Sequence, residues 1–275
     1  MNELHVIKLG GAEGNDLNAV AADVAQLWHA GKRLLLVHGG SSEATQLGQA
    51  LGHPARFAES PSGHTSRLTD AKTLDVFLMA TALMNRRLVA ALAALKVPAV
   101  GLSGLDGSCL KADQKKAFRV VEDGRVRVVR GDLSGRPSGV NTDLLRLLLE
   151  GGYLPVLAPV GTTEAGQALN VDGDRAAACI AGAMGAASLS LLTAVAGLLR
   201  DRHDPSSLVT RIGAHELEQA MQMAEGSMKK KVLAVGEALE GGVPQVVIAP
   251  SYGEHPVERA LAGAGTCFGA LEVTR

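Results

Sequence analysis

Leu4-His5-Val6-Ile7-Lys8-Leu9-Gly10-Gly11 and Leu34-Leu35-Leu36-Val37-His38-Gly39-Gly40 decide the fold. Each is a short aliphatic run that stops at a pair of glycines. Between them, residues 17–30 place apolar side chains at helical spacing and stop at Gly31, a residue suited to close a helix. Residues 43–51 continue as a second helix. Strand, helix, strand, helix in this order predicts parallel strands with helices packed on both faces. Such strands are buried on both sides, so they are continuously aliphatic rather than alternating.

The pattern continues outward. Residues 74–95 predict a long helix and 99–102 the strand after it. Residues 120–122 and 125–129 flank Asp123-Gly124, a strong hairpin signal. A helix over 142–150 closes at Gly151-Gly152 and leads into a strand over 154–158. Helices are expected over 174–184, 214–223 and 229–240, with strands over 188–192, 246–249 and 270–273. The fold class is therefore α/β, a three-layer αβα sandwich around a mainly parallel central sheet. No internal repeat or linker divides the chain, so residues 1–275 are read as one domain.

Composition agrees. Hydrophobic residues make up 47% of the 275 and aromatic residues only 3%, so the core must be built from Ala, Val, Leu and Ile. The net charge of -1 gives no global basic excess for nucleic acid. Cys109, Cys179 and Cys267 are odd in number, far apart and without zinc spacing, which predicts a reducing, cytoplasmic setting. No cationic leader with a long apolar run opens the sequence, and no uninterrupted apolar stretch reaches about 18 residues. Neither a signal peptide nor a membrane span is expected.

Three constellations carry chemistry. The first is Lys8 with Gly10-Gly11. Glycine lets backbone N–H groups approach an anion, and lysine adds a point charge. Gly39-Gly40 repeats the device on the next strand. One such pair is an ordinary tight turn, but two at neighbouring carboxyl ends converge on the crevice where open α/β sheets bind ligands. The second is Asn170-Val171-Asp172-Gly173-Asp174 before an alanine-rich helix. Either aspartate suits the helix N-cap, yet a cap needs only one of them. The third is Lys229-Lys230-Lys231 at a helix start, where three positive charges oppose the helix dipole unless an anion sits there. The P-loop and Rossmann glycine patterns are absent, and His215-Glu216 lacks the second histidine of a zinc-protease helix. Arg130-Gly131-Asp132 is read as a chance adhesion tripeptide.

Taken in order, Lys8-Leu9-Gly10-Gly11, His38-Gly39-Gly40, Ser66-Arg67-Leu68-Thr69-Asp70, Gly101-Leu102-Ser103-Gly104-Leu105-Asp106-Gly107, Asn170-Val171-Asp172-Gly173-Asp174 and Met228-x-x-Lys231-Val232 resemble the amino acid kinase family over essentially the whole chain. Within it the likeness is to the acetylglutamate kinase group, and most of all to kinases of LysW-bound aminoadipate. The resemblance implies ATP as donor, with Mg²⁺ held mainly by its phosphates. Lys8 and Lys231 would sit on the transferring phosphoryl group, with Asp174 holding both. Gly10, Gly11, Gly39 and Gly40 would offer N–H groups to phosphate and acceptor, and Arg67 and Asn170 would bind the acceptor's α-carboxylate side. An acceptor-binding lobe of residues 1–173 and a nucleotide-binding lobe of 174–275 are expected. Two positions depart from the family pattern. Ser227 stands where a glycine usually precedes the methionine, and Ala194 where Asp or Asn usually stands in the nucleotide-side turn.

The absence of an obvious catalytic histidine fits a carboxylate acceptor, which is already anionic and needs no base. His38, His53 and His64 are assigned no chemistry, and His38 is read as structural. From Lys111 to Arg136 eight basic residues face four acidic ones. That stretch is either a solvated hairpin or a docking surface for an acidic partner. The resemblance favours the second and makes the partner LysW, a small acidic carrier protein. Residues 129–135 and 198–201 point the same way. The first strand also begins almost at Met1, leaving no room for the extra N-terminal helix of arginine-inhibited acetylglutamate kinases. A homodimer is expected. N-acetylglutamate kinase of arginine biosynthesis is the alternative, and a non-catalytic ligand sensor a more distant one.

Overall fold

The computed structural model describes residues 3–11, 14–61, 63, 65–122 and 125–269. The chain opens with β1 (Leu4–Leu9), α1 (Leu17–His29), β2 (Arg33–His38) and α2 (Ser41–Ala50). β3 (Phe57–Glu59) and β4 (Thr65–Arg67) precede the long α3 (Ala71–Ala94) and β5 (Ala99–Ser103). A strand-rich stretch follows, with β6 (Leu110–Gln114), β7 (Ala117–Glu122), β8 (Arg125–Arg130) and β9 (Ser134–Val140). Then come α4 (Thr142–Glu150), β10 (Leu154–Ala158), β11 (Val160–Thr162) and β12 (Ala168–Val171). The second half runs α5 (Gly173–Met184), β13 (Ser188–Thr193), β14 (Arg211–Gly213), α6 (Leu217–Met223), α7 (Ser227–Glu240), β15 (Gln245–Pro250), α8 (Pro256–Leu261) and β16 (Thr266–Gly269).

The central sheet has eight strands in the order β14-β16-β15-β13-β1-β2-β10-β5. Six run parallel, while β16 pairs antiparallel with β15 and carries β14 with it. Alternate residues of each strand feed opposite faces. Val6 of β1 and Leu35 and Val37 of β2 join the core beneath α5 and α7, whereas Ile7, Leu9, Leu34 and Leu36 join the core beneath α1, α3 and α8. This two-sided burial is why the strands are aliphatic throughout. α5 packs closely because Ala176, Ala177, Ala178 and Ala181 are buried and small. α3 is long and apolar enough by composition to cross a membrane. However, Leu74, Phe77, Met84, Leu88 and Leu92 are buried in the protein, which makes it a core helix.

Two smaller sheets lie outside this one. β4-β3-β7-β8 is antiparallel, and β11-β12-β9-β6 closes into a small barrel. The expected hairpin is present, with Glu122 opposite Arg125, although its turn residues Asp123 and Gly124 fall outside the described residues. The barrel strands carry little local signal because they are short, with β9 rich in Gly and Ser and holding Pro137, and with a register shift between Lys111 and Ala112. The helix expected over 214–223 is broken. Glu216 Oε2 accepts the Gly213 N–H at 2.7 Å and tightens Ala214–Glu216 into a 3₁₀ turn ahead of α6. The last described strand is β16; the one expected over 270–273 lies outside the described residues.

The two glycine loops touch. A Cβ on Gly11 would lie 2.2 Å from the Gly40 nitrogen, and one on Gly39 would lie 2.4 Å from the Gly11 nitrogen. Gly139 has only ordinary contacts, at 3.7 Å. Gly11→Ala is thus expected to lower stability by about 1–3 kcal/mol through overpacking, and Gly139→Ala by clearly less. Thermal unfolding of the two variants checks this.

Candidate active site

Lys8 lies next to the end of β1, and its side chain runs under Gly173, where an added Cβ would lie 3.3 Å from Lys8 Cε. Its Nζ lies 2.6 Å from Asp174 Oδ1. Lys231, in the second turn of α7, reaches the other oxygen, with Nζ donating to Asp174 Oδ2 at 2.9 Å. All three side chains are buried, with residue exposures of 5%, 6% and 7% for Lys8, Asp174 and Lys231. Burial pushes the Asp174 carboxyl up, but the ammonium groups of Lys231 and Lys8 outweigh it and hold the group well below the usual carboxylate range. Burial lowers Lys8, while Asp174 opposes that shift. The result is an ionised Asp174 carboxylate held between two lysine side chains.

The helix cap is a different residue. Asp172, not Asp174, caps α5, its Oδ1 accepting the N–H groups of Asp174 and Arg175 at 3.0 and 3.2 Å. Sequence spacing left the two aspartates interchangeable. The structure separates them because the cap must lie before the first turn, which places Asp174 inside it and facing the lysines. Of the three lysines only Lys231 is buried; Lys230 lies 3.8 Å from Asp172, and Lys229 is half-buried. Gly226, directly before α7, has φ +52°, a backbone that favours glycine, so the glycine stands one place earlier than in the family pattern.

All nine residues singled out from the sequence line one crevice of about 500 Å³: Lys8, Gly10, Gly11, Gly39, Gly40, Arg67, Asn170, Asp174 and Lys231. The N–H groups of Gly11 and Gly40 have no backbone acceptor among the described residues. Arg67 is anchored through one terminal nitrogen to the Ser41 carbonyl and Thr45 Oγ1, both at 2.9 Å, and its guanidinium lies 4.8 Å from the centre of the Phe57 ring. Asn170 Nδ2 donates to Thr69 Oγ1 at 3.0 Å. His38 is buried, and burial pushes it down to about 4, so it is neutral. The 101–107 motif is the end of β5 and the turn after it, Asp106 Oδ2 accepting from Ser103 N and Oγ at 2.6 and 2.8 Å, and it does not line the crevice.

Some lining residues were not singled out. Asn15 bonds Ser251 Oγ at 2.9 Å, and Phe57 and Phe118 add apolar wall. Nothing in their local sequence marks Asn15 or Phe57. Phe118, Lys115 and Arg119 lie in the basic stretch expected to be either a solvated hairpin or a docking surface. Lys115 and Arg119 in fact line the crevice, and Arg136 lies 3.5 Å from Glu237. Asp132 of the adhesion-like tripeptide is buried, accepting from Thr69 N at 2.7 Å and Ser134 N at 2.9 Å, so it serves the fold.

Comparison with known proteins gives a consistent result. The amino acid kinase family model matches residues 3–250. The LysW-aminoadipate kinase of Deinococcus radiodurans is 50% identical over 262 residues, covering 95% of this chain and 90% of that protein. The protein of the same name from Thermus thermophilus is 48% identical over 264 residues, with 95% and 98% covered. Among solved structures, N-acetylglutamate synthase from Neisseria gonorrhoeae superposes with a TM-score of 0.80 at 26% identity, over 98% of this chain but 59% of that longer one. Giardia carbamate kinase has a TM-score of 0.69 at 16% identity over 97% and 98% of the two chains, which shows a shared fold.

Asp174→Asn leaves the Asp172 cap intact but strips the counter-ion from two buried lysines. It is expected to destabilise by about 3–5 kcal/mol, as when one partner of a buried pair is removed. Had Asp174 been the cap, Asn would serve about as well. The folded-state pKa of Asp174 lies below its unfolded value of 3.8, so its stabilisation is complete above that pH and fades as the pH falls through the folded value. Melting curves of wild type and variant should therefore differ widely at pH 7 and begin to converge only below about pH 4.

Proposed function

This chain belongs to the amino acid kinase family and is an ATP-using kinase, and on that premise we propose that it phosphorylates the side-chain carboxylate of 2-aminoadipate linked to the carrier protein LysW, giving an acyl phosphate in lysine biosynthesis. The names of the two bacterial relatives support the acceptor. The observation that carries the chemistry is the buried pair of ammonium groups, 2.6 and 2.9 Å from one carboxylate, beside two glycine loops.

The acceptor carboxylate is ionised at neutral pH, so no base has to remove a proton. The barrier is its repulsion from the γ-phosphoryl group, and positive charge with positioning lowers it. In this reading Lys8 and Lys231 lie on the transferring group, and Asp174 fixes both ammonium groups while leaving a net positive charge. The N–H groups of the glycine loops receive phosphate and acceptor oxygens. Arg67 and Asn170 hold the α-carboxylate side. Residues 1–173 bind the acceptor and 174–275 the nucleotide. Asp172 is committed to its cap and Asp174 to two lysines, which suits an Mg²⁺ ion held mainly by the phosphates of ATP, where it neutralises their charge.

LysW is taken to dock on the basic hairpin at the mouth of the crevice. Lys116, Arg125, Arg127 and Arg130 are exposed there, next to Lys115 and Arg119 in the wall. A homodimer is part of the same proposal, supported by β5 at the end of the sheet order and by exposed Met79 and Leu83 on the neighbouring α3. A cytoplasmic location follows from the biosynthetic role.

Lys8→Ala and Lys231→Ala should each lower turnover by about 100-fold or more while changing the acceptor's KM little, because their charge acts on the developing transition state. Steady-state kinetics decide, and turnover near wild type removes that lysine from the proposal. Charge reversal to Glu at Lys116, Arg125, Arg127 and Arg130 should raise KM for carrier-linked aminoadipate and spare N-acetylglutamate. Wild-type association with the carrier should weaken with salt, since exposed charges are screened within about 8 Å at physiological ionic strength. The ratio of kcat/KM for the two acceptors, before and after reversal, is the measurement. An unchanged ratio with efficient use of N-acetylglutamate would make this an acetylglutamate kinase, and no ATP consumption with any acceptor would make it a sensor.

A further inference from the structure

Behind the glycine loops lies a chain of polar side chains that the proposed chemistry does not use. His38 is wholly buried at the end of β2. Its Nδ1 lies 2.7 Å from the Gly39 carbonyl oxygen, and its Nε2 lies 3.1 Å from Asn85 Nδ2. Asn85, on α3, is also buried. Its Nδ2 donates to the Val156 carbonyl at 2.9 Å, and its Oδ1 accepts from Arg86 at 2.9 Å. Arg86 is tethered in turn to the Gly101 carbonyl at 3.0 Å.

Donors and acceptors in this chain follow from one another. A guanidinium only donates, so the Asn85 atom facing Arg86 is the amide oxygen. The atom facing Val156 and His38 is then the amide nitrogen. That group donates to His38 Nε2, which must carry a lone pair, so the ring proton sits on Nδ1 and is donated to Gly39. A trans peptide points its C=O and its N–H in opposite directions. Tying down the Gly39 carbonyl therefore sets the direction of the Gly40 N–H, a donor of the crevice lining without a backbone acceptor among the described residues. Glycine on both sides gives this peptide wide intrinsic freedom, which the His38 bond limits together with the close packing of Gly11 and the neighbouring bonds from Gly39 N–H to Leu9 and from Ala44 N–H to Gly40.

We propose that His38, held as the Nδ1–H tautomer by Asn85, is a positioning residue that aims the Gly40 N–H at the negative charge handled in the crevice. This rests on the kinase reading of the same site. The ring acts as a fixed neutral donor rather than a base, and its low pKa, about 4, keeps it in that form through neutral pH.

Two substitutions separate the donor from the packing. In His38→Asn the amide nitrogen falls near the position of Nδ1 and can still serve Gly39, whereas in His38→Gln it falls near Nε2 and cannot. Both remove the ring. Turnover of His38→Asn should stay within about threefold of wild type, and that of His38→Gln should drop about tenfold or more, short of the ~100-fold cost of losing a donor outright. KM for ATP should move less than turnover in both. Equal losses in the two variants, or turnover retained by His38→Gln, overturns the proposal. Because both changes are buried, the tautomer is also read in the wild-type protein, by two-bond ¹⁵N–¹H correlation of the histidine rings. A protonated Nδ1 and bare Nε2 on His38 between about pH 6 and 8 is expected, and a protonated Nε2 refutes the proposal whatever the variants do. Kinetics use whichever acceptor the wild type phosphorylates, so a failure of the carrier-linked reading leaves this test intact.

Discussion

A single carboxylate, Asp174, holds two lysine side chains together in the buried lining of the crevice. Lys8 arrives from a strand and Lys231 from a helix start, 223 positions apart in the chain. Lysine at the first turns of a helix opposes the helix dipole, and lysine under a glycine loop loses its water. The carboxylate compensates both, and its own ionisation is secured by the pair it holds. The surrounding architecture serves this arrangement: Asp172 caps α5 so that Asp174 need not, Gly173 leaves room for the Lys8 side chain, and the small residues of α5 bring it close to the sheet.

The parallel core was legible because its signal is local. Leu34-Leu35-Leu36-Val37 announces a strand buried on both faces, and the glycines after it announce a loop at its carboxyl end. The same locality made Lys8, Gly11 and Gly40 candidates before any contact was known. Asp172 and Asp174 could not be told apart, since both lie within one turn of the helix start and differ only in which way the backbone presents them. Lys115 and Arg119 belong to a charge run that looks like solvated surface until the hairpin is placed against the crevice. Asn85 was invisible for a further reason. Its partner His38 lies 47 positions away, and an asparagine inside an apolar helix carries no periodic signal.

The family resemblance and the geometry answer different questions. Whole-length similarity to two bacterial enzymes at 50% and 48% identity identifies the kind of catalyst. The geometry supports a mechanism without a general base, since His38, beside the glycine loops, is neutral, buried and bonded on both ring nitrogens. A catalyst of this type depends on where its charges stand, and its tolerance to mutation should follow burial around the triad more closely than distance along the chain.

The continuous sheet limits how such a crevice can open. β1, which brings Lys8, and β13, which leads to the far side, are hydrogen-bonded neighbours along five residue pairs. Two halves joined that way cannot swing apart without breaking the centre of the protein. The β4-β3-β7-β8 sheet, by contrast, supplies Phe57, Arg67, Phe118 and Arg119 to the crevice wall and is not part of the main sheet. That wall can shift without breaking the hydrogen-bonded ladder of the main sheet.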